Sequence, residues 1–289
     1  MQATIIIPSY NRPRQLATCL AALAKLDGGP WPIVVVDDGS KVALGEVCTP
    51  YSNVRLVRQD NAGPGAARNR GVEEAEDAHL LLFIDDDCMP EPQWANCLVE
   101  AQSDVPGRLV GGRIVNALPR NVYSSASQSL STYLYEFYQA SGSDMIFFTT
   151  NNMCCRREDF LKSGGFGSRF PIASEDRDFG IRWSASGGEL VYAPDAVVAH
   201  AHDLGLASFW RQHRNYGRGA RHLHLAMDQR EDPRPKLESA RFYFGMLSHP
   251  LRNPGHNRLA QSALIALSQV AMVAGYIAEI GKGGATPSS

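Results

Sequence analysis

The sequence has no CxxC pair, although it has six cysteines: Cys19, Cys48, Cys88, Cys97, Cys154 and Cys155. The adjacent Cys154 and Cys155 cannot easily bridge each other. Neither a disulfide framework nor a structural zinc site is expected, and free thiols fit a reducing compartment. The N-terminus lacks a basic stretch leading into a long apolar core, so no signal peptide is expected. There is no Gly-Lys-Ser/Thr ending of a P-loop and no GxGxxG fingerprint. Excess charge is missing too. Lys+Arg number 28 against 30 Asp+Glu, a net charge of -2, which gives no general attraction to nucleic acid. No internal repeat or low-complexity tract interrupts the 289 residues, of which 44% are hydrophobic and 20% charged. Such a chain suits one large α/β domain, or a catalytic domain with an appendage, and argues against disorder.

What is present begins with an alternation. Short apolar, β-branched runs at 4–7, 33–36, 54–57 and 80–84 alternate with helix-like stretches at 14–25 and 66–75. Unbroken apolar strands between helices predict a mainly parallel sheet covered on both faces. Further on, 110–115 and 190–200 read as strands, and 123–138, 173–183 and 206–216 as helices. Gly217 and Gly219 weaken any continuation of the last of these, and 228–235 reads as a linker. A long helix is expected over 257–280. Its uncharged stretch from Leu259 to Ala278 is about as long as a membrane span, which needs roughly 20 residues. Yet Gln261, Ser262, Ser268 and Gln269 make a polar stripe at a seven-residue interval. That ranks an amphipathic helix packed on the protein first, one lying in a bilayer surface second, and a span third.

Polar clusters follow three of the strands, at the edge where open α/β sheets bind ligands. Asp85-Asp86-Asp87 is the sharpest. Three adjacent carboxylates repel one another unless a cation compensates, and hard divalent cations such as Mg²⁺ or Mn²⁺ suit them and phosphate oxygens alike. The plainer reading is a solvated acidic turn. Asp37-Asp38-Gly39-Ser40 reads as a turn, or as a carboxylate meeting a base or ribose. The run from Asn61 to Gly71 puts glycines before a helix whose start favours anions, with Arg68 placed to reach a phosphate or base. In Ser174-Glu175-Asp176-Arg177-Asp178, one carboxylate would be a general base, or the acids simply cap a helix. His200 and His202 share one face of a strand end, which suits a metal or a diphosphate. Tyr133, Tyr135 and Tyr138 would stack on a sugar or pack a core.

The order IIIPSYNR, VVVDDGS, NAGPGAARNRG, FIDDDCMP, GGF with SEDRDFGIRW, and VVAHAH resembles that of the family 2 glycosyltransferases. The resemblance runs over residues 4–216 and implies an α/β GT-A fold, a mixed, mainly parallel Rossmann-like sheet flanked by helices. The GT-A domain is expected over 1–204, with a C-terminal helical extension over 205–289 for membrane-surface or oligomer contact. By resemblance, Pro8, Tyr10 and Asn11 border the nucleotide, Asp38 meets the base, usually uracil, and Arg68 lies near the nucleotide. Asp85-Asp86-Asp87 resembles the DxD motif, with Asp87 a metal ligand and Asp86 near the donor ribose or sugar. Asp176, beside Glu175, resembles the catalytic base, and His200 or His202 completes the metal and diphosphate site.

What this implies is an inverting glycosyltransferase using a divalent metal (Mg²⁺ or Mn²⁺) and a UDP-sugar. It would pass a single sugar to a glycan or glycoconjugate acceptor in cell-surface polysaccharide synthesis. No QxxRW motif of processive synthases is present, which favours one transfer over polymerisation. The expected setting is cytoplasmic, with the membrane face and a homodimer as the contacts the last helix would make. The competing reading is a non-catalytic nucleotide-sugar or glycan-binding module of the same fold. A nucleotidyltransferase would need a glycine-rich loop after the first strand, where Pro8-Ser9-Tyr10-Asn11 stands.

Overall fold

The computed structural model describes residues 2–140, 147–170, 172–233, 238–253 and 255–281. In chain order the elements are β1 (Ala3–Ser9), α1 (Pro13–Leu23), β2 (Ile33–Asp38), α2 (Gly45–Cys48), β3 (Val54–Gln59), α3 (Pro64–Glu74), β4 (Leu80–Phe83), β5 (Cys88–Pro90) and α4 (Trp94–Gln102). They continue with β6 (Arg108–Asn116), α5 (Val122–Ala140), β7 (Met153–Arg156), α6 (Arg157–Lys162), α7 (Glu175–Ala185), β8 (Glu189–His200), α8 (Leu206–Arg230), α9 (Ala240–Arg252) and α10 (Arg258–Ile280). Two compact units result. The first comprises Met1–Val115, Ile146–Pro171 and Glu175–Ala201, and the second Asn116–Met145, Ile172–Ser174 and His202–Ser289.

The first unit is built on an eight-stranded sheet of order β3-β2-β1-β4-β7-β6-β8-β5. The first four strands of that order are parallel, as the unbroken apolar runs predict. β7 is antiparallel to β4 and β6, and β5 is antiparallel to β8. Alternation along β1 explains its composition, because both faces are covered. Ile5 and Ile7 share a cluster with Leu16, Leu20 and Leu23 of α1 and Trp94 and Leu98 of α4. Ile6 faces α3 instead. A methyl group added at Gly71 of α3 would sit 2.4 Å from Ile6 Cγ2, so only glycine lets the helix lie this close.

Strand register lines up the polar strand ends. Ser9 pairs with Asp37 across β1 and β2, and Ile6 pairs with Phe83 across β1 and β4. Three residues beyond that second pair, Ser9 and Asp86 stand level on adjacent parallel chains. The antiparallel part of the sheet is tied by Asn152, which is buried. Its Nδ2 donates to the carbonyls of Arg113 at 3.0 Å and Ala196 at 2.8 Å, while its Oδ1 accepts from Trp94 Nε1 at 2.8 Å. One side chain thus joins α4, β6 and β8.

In the second unit, α5, α8, α9 and α10 contribute Ala126, Tyr133, Phe209, Phe242, Met246 and Ile265 to one apolar cluster. The division therefore differs from the expected boundary between 204 and 205. α5 groups with the later helices because Tyr133 and Phe137 stack on Phe242, with ring centroids 5.4 and 4.8 Å apart. Tyr133 also donates its hydroxyl to the Phe242 carbonyl at 2.8 Å, which gives it a core role.

α8 runs unbroken through Gly217 and Gly219 to Arg230, past the start of the expected linker, whose residues 234–235 lie outside the described ones. The glycines are there for close approach. A Cβ at Gly217 would lie 1.9 Å from the Met272 carbonyl, and one at Gly275 of α10 would lie 1.9 Å from the Arg214 carbonyl. The polar stripe of α10 turns inward, with Gln261 and Ser268 buried. Both are satisfied locally: Gln261 Nε2 donates to the His256 carbonyl at 2.8 Å, and Ser268 Oγ donates to that of Ile265 at 2.7 Å.

Asn152→Ala strands two carbonyls and an indole N–H in a buried setting. It is expected to cost on the order of 3 kcal/mol or more, read as a lowered urea midpoint for the first unit.

Candidate active site

After Phe83 the chain leaves the sheet carrying three carboxylates. Asp86 is buried and accepts from Ser9 Oγ at 2.7 Å and Arg12 Nη1 at 3.2 Å. Burial outweighs these partners and pushes its carboxyl up to about 6. Asp87 accepts from the same Arg12 Nη1 at 2.9 Å and lies 3.2 Å from His200 Nε2. That last approach follows from the pairing of β5 with β8, which sets Cys88 opposite His200. Burial disfavours charge on His200, but the hydrogen bond and charge of Asp87, with Asp85 behind them, win and raise its pKa. Asp85 is held by Arg68, whose Nη2 donates at 2.6 Å.

Arg68 is the junction of the site. Its guanidinium is buried, and Nη1 donates to Glu175 Oε1 at 3.3 Å. One cation thus links the loop after β4 to the first residue of α7. Burial, then the neighbouring charge of Asp176, push the Glu175 carboxyl up to about 7, with Arg68 opposing. Burial also raises Asp176, against the pull of Arg177. Two adjacent carboxyls in one helical turn titrate as a pair.

The helix that presents them is fixed from behind. Arg182 donates to Asp178 at 2.8 Å and to the carbonyls of Ser163 and Gly165 at 2.5 and 2.6 Å. Asn69 grips Phe166 at both its N–H and its carbonyl, at 2.9 and 2.8 Å. Rings of Phe160, Phe166, Phe179 and Trp183 stack in sequence. This explains why the Gly164-Gly165-Phe166 turn accompanies the acidic helix start.

On the other side, Asp38 is buried, and its carboxylate accepts from Gln59 Nε2 at 2.7 Å and from the N–H groups of Ala62 and Gly63 at 2.9 Å each. It shapes the loop that leads into α3. Asn11 lies in the left-handed region, at φ 57. Its N–H donates to Ser40 Oγ at 2.8 Å and its Oδ1 accepts from Lys41 N–H at 2.7 Å, which clasps the loops after β1 and β2. Pro8 is half-buried and Tyr10 is exposed at the same edge.

Of the residues singled out in the sequence, Asp85, Asp86, Asp87, Arg68, Glu175 and His200 are thus joined by direct contacts. His202 is assigned to the second unit, and its carbonyl accepts from Ser124 Oγ. Ser9, Arg12 and Gln59 were not singled out. Arg12 follows directly on the Pro8–Asn11 segment, and parallel register alone would have set Ser9 beside Asp86.

Donor atoms of Asp87, Cys88 and His200 lie within 4.8 Å of one another. Burial pushes the Cys88 thiol well above its usual range and keeps it protonated. A carboxylate and an imidazole remain as the fitting donors for a divalent cation. The Arg12 guanidinium lying on Asp86 and Asp87 marks the same demand for positive charge.

The sequence pattern of Glycosyl transferase family 2 matches residues 4–164, more than half of the chain. The chain belongs to this family. Among curated relatives, this chain is 28% identical to glycosyltransferase AglE of Haloferax volcanii over 68% of its own length and 66% of that protein's. It is 27% identical to the pre-mycofactocin glycosyltransferase of Mycobacterium tuberculosis over 75% of its length and 46% of that protein's. The chain thus spans only part of the length of these relatives.

Among solved structures, a mannosyltransferase from Pyrobaculum calidifontis, in complex with GDP-Man and Mn²⁺, superposes with a TM-score of 0.61 at 16% identity. The match covers 98% of this chain and 79% of that one. GalNAc-T7 with UDP, GalNAc and Mn²⁺ superposes at 0.60, also at 16% identity, over 98% and 56%. Both are GT-A enzymes, and the likeness establishes the GT-A fold.

Arg68→Ala leaves Asp85 and Glu175 without their shared cation. The loss of stability is expected to be on the order of 3 kcal/mol at pH 8, where Glu175 is ionised. It should be smaller at pH 5, where Glu175 binds a proton. Urea midpoints at the two pH values check this.

Proposed function

We propose that this glycosyltransferase moves one sugar from a nucleoside-diphosphate sugar to an acceptor hydroxyl, with inversion at the anomeric carbon. The donor is a UDP-sugar and the acceptor a glycan or glycoconjugate. The observation that carries this reading is the pairing of Asp87 with His200 at 3.2 Å, beside the Arg68 bridge to Glu175. It supports reading this cluster as a cation-demanding diphosphate site beside a carboxyl pair of raised pKa. The solved neighbours, one holding GDP-Man and the other UDP and GalNAc, each with Mn²⁺, support the donor class and the metal.

In this reading Asp87 and His200 would hold the divalent cation. When bound, the cation neutralises charge on the departing diphosphate. The protein's own residues do the rest. Arg68 and Arg12 bring positive charge to the diphosphate side, where fixed charge acts strongly away from water. Asp38 and the loop after β2 receive the base, and Pro8, Tyr10 and Asn11 border it. Asp86 meets the ribose or the sugar. Asp176, with Glu175 beside it, takes the proton from the acceptor hydroxyl as it attacks the anomeric carbon from the face opposite the leaving group.

Calorimetric titration with UDP tests the donor site. Wild type is expected to bind with Mn²⁺ present and to lose binding in EDTA, and Asp87→Ala to weaken binding at least about tenfold with Mn²⁺. Failure of UDP, GDP and dTDP alike would overturn the reading in favour of a glycan-binding module.

The base assignment gives a pH profile. Since the carboxyl pair acts ionised, kcat/KM is expected to rise with pH as the pair, which burial holds above the usual carboxylate range, loses its protons. Glu175→Gln removes the repelling charge and should move that rise to lower pH. A profile flat from pH 5 to 8 would sink the assignment (the pH span is roughly that over which such a group titrates).

A further inference from the structure

We propose that α9 and α10 form a monotopic membrane-binding face that takes an anionic phospholipid surface. α10 is long and apolar enough to cross a bilayer by length and composition, yet only 22% of that stretch is buried in the protein. What lies uncovered is ordered. Leu259, Ala263, Ala266, Val270, Val273, Ile277 and Ile280 are all exposed, at alternating steps of three and four. At about 100° per residue they fall within roughly 100° of one another around the helix, and they extend along about 30 Å of it. Leu259 is 78% exposed, and Val270, Val273 and Ile277 are each near 60%.

The opposite side of α10 is committed to the protein. Gly275 packs against the Arg214 carbonyl, Glu279 pairs with Arg218 at 2.7 Å, and Tyr276 meets His224 Nδ1 at 2.9 Å. A helix fixed on one side and apolar on the other can enter a bilayer by one face only. This excludes a span and leaves burial in the headgroup and acyl boundary.

α9 extends the face. Phe244 is 69% exposed and Leu251 43%. Arg241 and Arg252 are exposed beside them on the same arc of the helix. Leu251 borders Arg258, Leu259 and Ala260 at the turn between the two helices. The charges decide the occupant. α9 and α10 hold Arg241, Arg252 and Arg258 and one acid, Glu279, which is already paired with Arg218. A second copy docking here would offer the same cations and no carboxylate to meet them. Phosphate headgroups of anionic lipid supply the missing charge, while the acyl chains receive the apolar stripe.

This inference is independent of the donor-site reading and is tested without activity. Full-length protein is floated with vesicles of phosphatidylcholine alone and of phosphatidylcholine with phosphatidylglycerol. Wild type is expected to float with the anionic vesicles, less so as salt is raised, and poorly with the neutral ones. Val273→Glu with Ile277→Glu should lower partitioning about tenfold or more, and Arg252→Glu with Arg258→Glu should do the same on anionic vesicles alone. Both pairs are exposed, so an unchanged circular dichroism spectrum keeps the comparison valid. Wild type that floats with neither vesicle would overturn the proposal. So would a Val273→Glu/Ile277→Glu variant that floats as wild type does, or a wild-type dimer in light scattering that this variant converts to monomer.

Discussion

The site depends on a buried cation shared by two carboxylates. Arg68 stands where the loop after β4 and the start of α7 come together, and neither half would tolerate its acids without it. Glu175 keeps a raised pKa even with the guanidinium at 3.3 Å, which measures how strongly burial weighs there. An ion pair in such a place is poor at adding net stability, because desolvation takes back most of the attraction. Its value lies in geometry. It fixes the acid pair of α7 relative to the carboxylates of the β4 loop, through an arginine that lies 107 residues before Glu175 in the chain.

The same arrangement serves the acidic triplet. Asp85, Asp86 and Asp87 all find cationic partners: Arg68 for the first, and Arg12 shared by the other two, with His200 added at Asp87. Spreading three adjacent negative charges over three directions is what lets the loop remain compact. It also leaves Asp87 and His200 facing a common point. Both features follow from sheet register. Parallel pairing of β1 with β4 levels Ser9 with Asp86, and antiparallel pairing of β5 with β8 brings His200 to Cys88.

Much of this was legible in the sequence. Unbroken runs such as IIIP and LLLF reveal strands covered on both faces, and polar clusters at their ends mark the candidate site. Asp85 to Asp87, Arg68, Glu175 and His200 carry enough chemistry in their types and order to be found. Ser9 and Arg12 were not found, because their importance comes from register, which no local pattern states. α9 escaped notice because Pro250 lies inside it and a proline-containing stretch precedes it. α8 looked shorter than it is because Gly217 reads locally as a weak helix former. Its role, to let a carbonyl of α10 pass close by, is tertiary. The polar stripe of α10 was visible, but its direction was not. Periodicity defines a face and leaves open what the face looks at.

The cysteines have a consequence of another kind. All six are free, and all but Cys97 are buried. Cys19 Sγ lies 3.6 Å from the Asp85 carbonyl, and Cys88 follows directly on the acidic triplet. Burial and the nearby carboxylates push both thiols well above their usual range, so neither offers a reactive thiolate in the folded protein. The candidate site therefore has two silent reporters beneath it. An alkylating reagent can reach them only through local unfolding that exposes them, and the rate of their modification becomes a clock for that opening.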